Sequence, residues 1–186
     1  MSRRKTLSDS AVLDGALKIM LRTSPAKFTL ADVANGVGVS PATLLQRFGS
    51  KRNLIVRAIE RDNAQFAKTL IAAPPTVGAE AVIALFLELT PDLGPQDDRL
   101  ADQLPWLRED FRDPQLSALA RERFRVLRAA VTARLPPLPV PPAVGARLLE
   151  AQWQGALTQW GFFREGRLGD YVRRALREWF ALAGRS

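Results

Sequence analysis

Apolar residues return every three or four positions along almost the whole chain, and no stretch of useful length alternates apolar with polar. Residues three and four apart share one face of an α-helix, whereas a half-buried strand needs a period of two. The spacing therefore predicts an all-α fold. Val12, Ala16 and Met20, with Leu13, Leu17 and Leu21, repeat at four-residue intervals and predict a first helix over residues 9–23 behind Ser8, Asp9 or Ser10 as cap.

Thr29 then offers a cap for a second helix carrying Leu30, Val33, Ala34 and Val37 on one face, and Gly36 and Gly38 stop it. Ser40-Pro41 restarts the chain, a capping hydroxyl followed by proline at the position where its missing N–H does no harm. This third helix is brief and ends by Gly49, after which Ser50 caps a fourth over 51–72. Two helices joined by a short glycine-containing turn have the layout of a helix-turn-helix, whose second member enters the DNA major groove. On a helical wheel Leu44, Leu45 and Phe48 fall on the side of Pro41, the expected anchor, while Ala42, Thr43, Gln46 and Arg47 fall opposite, the expected reading face.

Those residue types suit the task. Gln pairs bidentately with adenine, Arg with guanine or phosphate, Thr with a base edge or phosphate oxygen, and a small Ala admits close approach. Lys51 and Arg52 occupy the first turn of the fourth helix, where the macrodipole disfavours cations unless a phosphate sits there. They are read as a phosphate clamp. Thr29, Ser40 and Pro41, at the starts of the two motif helices, complete the expected DNA-binding set.

Charge points the same way. Residues 1–70 hold twelve Lys/Arg against five Asp/Glu, while the rest of the chain is nearly balanced, so the net +8 lies mostly in the first third. Such a segment favours polyanions through counterion release. Cysteine and histidine do not occur, which excludes disulfide and thiolate chemistry and removes the commonest metal ligand and general base. No metal site or cofactor is expected. The longest apolar run, residues 81–87, is far too short to span a bilayer, and a cytoplasmic protein with no membrane contact is expected.

Beyond the seam at "AAPPTVG", "AEAVIALFLEL" predicts a central buried helix, and residues 90–114 predict one short helix in a broken region. A helix over 114–135, the stiff connector "LPPLPVPP", and two amphipathic helices at 143–165 and 168–184 follow. The expected organisation is 1–50 for DNA binding, 51–72 as linking helix and 73–186 for ligand binding and dimerisation.

Residues 9–72 resemble the TetR family of bacterial transcriptional regulators. Val33-Ala34 matches the family's aliphatic-Ala pair, Gly38-Val39-Ser40 its turn, Ala42-Thr43-Leu44 and Phe48 its recognition helix, and Ser50, Lys51 and Leu54 its Ser-Lys-x-x-Leu. Val37 replaces the usual alanine and Leu45 the usual tyrosine, so a tyrosine-type backbone contact does not carry over to position 45.

The resemblance implies a homodimer whose last two helices build a four-helix bundle, with Leu149, Trp153, Leu157, Trp160, Val172, Leu176, Trp179 and Phe180 as interface. Two-fold symmetry would space the recognition helices about 34–36 Å apart and select a pseudo-palindromic operator in double-stranded DNA. It also implies a repressor released by a small hydrophobic ligand, with Phe86, Leu89, Trp106, Phe111, Phe124, Trp153 and Trp160 as candidate cavity walls, and with the fourth helix as lever. Two rivals remain. One is a helical interaction protein that keeps the fold without operator binding, which the basic N-terminal third disfavours. The other is an enzyme using carboxylates at Arg108 to Asp113 or at Asp97-Asp98, which would need a cleft rather than a polar, Pro-flanked stretch.

Overall fold

The computed structural model describes residues 7–72 and 75–184. The basic segment 1–6 and residues 73–74 of the seam lie outside the described residues. Among the described residues there are nine helices and no strand: α1 (Asp9–Met20), α2 (Leu30–Val37), α3 (Pro41–Phe48), α4 (Lys51–Ala72), α5 (Ala79–Glu88), α6 (Arg99–Arg112), α7 (Pro114–Thr132), α8 (Pro142–Phe163) and α9 (Leu168–Ala183). Two compact units emerge. The first holds the residues up to Lys68 together with Ala101–Glu122, and the second holds Thr69–Leu100 and the residues from Arg123 onward.

In the first unit local chemistry sets each boundary. Ser8 caps α1 by accepting from the Ala11 N–H at 3.2 Å, and Thr29 caps α2 by accepting from Asp32 at 3.1 Å. Gly38 ends α2 in the left-handed region at φ 75°, where a Cβ would be strained, and its N–H returns to the Ala34 carbonyl. Val12, Ala16, Val33, Ala34, Leu44, Phe48, Leu54 and Ala58 close the core around Phe28. α1 ends at Met20, short of the expected residue 23, because the Thr23 hydroxyl turns back onto the Ile19 carbonyl.

The broken region differs more. Instead of one short helix, α6 runs for fourteen residues straight through Pro105. Proline removes one ladder bond and crowds the preceding turn, yet side chains on either side of it are fastened to the end of α1. The Gln103 amide donates to the Met20 carbonyl at 3.2 Å, and the Trp106 indole donates to the Thr23 carbonyl at 2.7 Å with its ring edge-on to Phe28. The bond to Met20 also satisfies a carbonyl that the end of α1 leaves without a helical partner.

In the second unit α8 and α9 pack along each other and α5 packs on α9. Val82, Ile83, Leu85 and Phe86 face inward, whereas Ala84 and Glu88 are exposed, so α5 is buried on one side rather than all round. The buried polar groups are paired: Arg128 holds the buried Glu150 carboxylate through bonds of 2.5 and 3.2 Å, and the Leu168 N–H reaches the Leu93 carbonyl at 3.0 Å.

Candidate DNA-binding surface

α3 is built to stand as an isolated reading element. Ser40 caps it by accepting from Thr43 at 3.1 Å, Pro41 supplies its first turn, and the Gly49 N–H closes on the Leu45 carbonyl at 2.8 Å. Leu44 and Phe48 sink into the core, and Pro41, Ala42, Leu45 and Gln46 are exposed. This corrects the expected phase of the helix. Leu45, placed by the wheel on the anchor side, is 46% exposed beside Gln46.

Arg47 has moved the other way. Its side chain is only 20% exposed, its guanidinium is bonded to the Asp9 carboxylate through both Nε, at 2.8 Å, and Nη2, and it stacks over Phe48. Arg57 approaches the same Asp9 at 3.9 Å and covers the same ring. Thr43 is half-buried, its hydroxyl 2.9 Å from that of Ser40, and the Thr29 hydroxyl donates to Asp32 at 2.6 Å. The outward-facing chemistry of α3 is therefore one amide, one leucine and a small Pro-Ala shelf.

Ser50 caps α4 by accepting from the Asn53 N–H at 3.0 Å, and the Asn53 amide donates to the Phe48 carbonyl at 2.7 Å, fixing the angle between α3 and α4. Lys51 is half-buried over the Phe28 ring and donates to the Pro25 carbonyl at 3.1 Å. Arg52 is not presented as the clamp reading expected. Asp113 takes it bidentately at 2.6 and 2.8 Å, and that pairing, with backbone N–H groups of Leu116 and Gln115, holds the Asp113 carboxyl down at about 2. Asp97 is held at about 2 by Arg99 in the same manner, whereas burial, aided by Glu109, pushes the Asp110 carboxyl up to about 6.

The ligand candidates divide between the two units. Trp106 and Phe111 belong to the first unit, where Phe111 is 77% exposed. In the second unit Phe86 and Trp160 are closed in the core, and Trp153 stacks on Phe86 at 5.3 Å while its indole donates to Thr90 at 3.0 Å. Leu89 and Phe124 are half-buried.

The expected interface also needs correction. Leu149, Trp160, Val172 and Leu176 are completely enclosed by this chain, so they are core and have no surface to offer a partner. Trp153, Leu157, Trp179 and Phe180 are half-buried, the last two edge-on to each other at 5.2 Å. Sequence reasoning passed over the opposite side of α8, where Leu148, Ala151, Gly155 and Phe162 are spaced to lie on one face. Leu148, Ala151 and Phe162 are exposed, Phe162 at 82%, and Gly155 is partly so. The signal was present as three- and four-residue spacing, diluted by Gln152 and Gln159.

This architecture, with a core-anchored short helix behind a glycine turn, is that of a helix-turn-helix. Residues 12–58 match the family model of the bacterial regulatory proteins, tetR family. Among solved structures the chain is similar to a transcriptional regulator from Rhodococcus sp. Rha1, at 16% identity and a TM-score of 0.74, covering 95% of this chain and 96% of that one. It is similar to a tetR-family transcriptional regulator from Streptomyces coelicolor, at 15% identity and 0.69, covering 94% and 82%. A third is a transcriptional regulator from Saccharomonospora viridis in complex with choline, at 19% identity and 0.70, covering 93% and 95%. At these identities the likeness establishes the fold. No curated protein sequence matches.

Proposed function

We propose that the protein binds a pseudo-palindromic operator as a homodimer in the cytoplasm and represses transcription until a small hydrophobic ligand releases it. The observation that carries this reading is the exposed Ala42–Leu45–Gln46 surface of a capped α3, set beside the Lys51 end of α4. Gln46 is the reader of a base edge, Leu45 and Ala42 give apolar contact of the kind a thymine methyl accepts, and Lys51 with the first-turn amides of α4 holds a phosphate. Thr29, Ser40, Pro41 and Thr43 lie around the same surface, while Arg47 and Arg52 join it only by leaving Asp9 and Asp113. In this reading 1–50 reads DNA, 51–72 is the lever, and 73–186 senses and dimerises.

Selection of bound duplexes from a random pool tests the whole reading. A two-fold symmetric consensus is the expected outcome, and recovery of no consensus sinks it. Lys51→Glu is expected to weaken binding to every duplex about tenfold and to flatten the salt dependence by about one counterion, with the consensus unchanged. A loss confined to one sequence contradicts the phosphate role.

For dimerisation, the unpartnered α8 face through Leu148 and Phe162 takes over from the core residues first expected. Phe162→Asp is expected to shift sedimentation from dimer to monomer without altering helix content. A dimer that persists at micromolar concentration places the interface elsewhere.

A further inference from the structure

The first unit contains a groove of about 670 Å³ between the α1–α2 loop and the starts of α4 and α7. Its volume falls within the roughly 300–1,000 Å³ of small-molecule sites. Trp106, Ile55 and Leu116 provide apolar walls, and the indole is immobilised by its bond to Thr23 and its contact with Phe28. Such a wall suits a flat ring or a short alkyl body.

The polar lining selects the sign of the charge. Lys51, Arg52, Arg108, Glu109 and Asp113 all line it. Asp113 is already spent: its two oxygens accept from Arg52 and from the N–H groups of Gln115 and Leu116. That leaves Lys51 and Arg108 against Glu109, whose contact with Arg108 is long at 3.5 Å. Pro25 engages the Lys51 ammonium through a single bond, and an ammonium has three N–H groups. A negative group beside Lys51 also meets the positive end of α4. A cationic guest would face an excess of like charge, and a neutral one would leave that potential unused.

We propose that this groove binds a small aromatic or alkyl carboxylate, with its body on Trp106 and its carboxylate on Lys51, and that occupancy withdraws Lys51 from DNA phosphate. The second half rests on the DNA-binding reading of Lys51, while the first does not. Ligand and DNA then compete for one ammonium group, so release needs no change of dimer geometry. This places a sensing site in the first unit, apart from the aromatic candidates of the second unit.

Calorimetric titration of the full chain with naphthoate, naphthylmethanol and naphthylmethylammonium tests the site. Naphthoate is expected to bind more tightly than both others. Arg108→Glu is expected to weaken naphthoate about tenfold, and Glu109→Gln to strengthen it about threefold, two shifts of opposite sign that a general loss of structure does not produce. Equal binding of the three probes, no heat with naphthoate, or equal affinities in both variants overturns the site. Naphthoate is further expected to weaken binding of the selected duplex in the wild type and less so in Arg108→Glu, each compared with the same protein's affinity without the probe. Naphthoate binding that leaves DNA affinity untouched overturns the competition. If no duplex is bound even without probe, the operator reading fails while the calorimetric result still decides the site.

Discussion

Trp160→Ala is expected to destabilise the second unit by about 3–5 kcal/mol, the range for removing a large aromatic from a closed core. The residue is 0% exposed, its indole donates to the Gly166 carbonyl at 3.0 Å, and the Arg164 guanidinium lies 4.9 Å from its ring centre. Truncation opens a cavity, removes the partner of a turn carbonyl and leaves Arg164 without its stacking surface. Urea unfolding followed by circular dichroism measures it. Phe162→Ala, one α8 residue that is 82% exposed, serves as the control and is expected to leave the midpoint nearly unchanged at concentrations where the chain is monomeric. If Trp160→Ala unfolds at the wild-type midpoint while weakening a dimer or a ligand complex, the residue is a contact residue as the sequence first suggested, and the packing described here is wrong.

Trp160 also marks where periodicity stops being informative. The spacing of Leu149, Trp153 and Trp160 correctly gives an inward face to α8, but a buried face is the same in sequence whether it is covered by the chain itself or by a second copy. α9 and α5 cover it, through contacts far apart along the chain, and so the outward face passed to Leu148 and Phe162. The helix-turn-helix was legible because its signals are local: Thr29, Gly38, Ser40, Pro41 and Ser50 act within four residues of where they stand. What an eight-residue helix does not encode is its rotation. Two turns hold too few apolar positions to fix the centre of the face, and Asp9, 38 residues from Arg47, settles it by pulling the arginine toward α1 and leaving Leu45 outside. The Arg52–Asp113 pair spans 61 residues and was equally out of reach. Pro105 misled for a related reason, since the cost it imposes on α6 is local but the anchors of Gln103 and Trp106 are the Met20 and Thr23 carbonyls, 83 residues away.

A glycine tests how tightly the reading head is assembled. A Cβ on Gly15 would stand 2.2 Å from Val37 Cγ1, well inside the roughly 3.5–4.0 Å of comfortable carbon contact. Val37, where the family resemblance leads one to expect alanine, thus fills the space that Gly15 leaves between α1 and α2. Gly15→Ala alone adds helix propensity worth about 1 kcal/mol but forces a β-branched side chain, stiff at χ1, or the helix behind it, to move at a cost of about 1–3 kcal/mol. The clash wins, and net destabilisation is expected. In a Val37→Ala background the obstacle is gone, and the same Gly15→Ala change is expected to stabilise by about 0.5–1 kcal/mol. This reversal of sign is read directly from a double-mutant cycle. Because α2 leads into α3 through the single turn at Gly38, a displaced α2 carries Leu45 and Gln46 with it, so Gly15→Ala is also expected to weaken duplex binding and Val37→Ala to restore it. A stabilising Gly15→Ala in the wild-type background would mean that Val37 turns aside freely, and that the spacing of α1 and α2 does not hold the recognition helix in place.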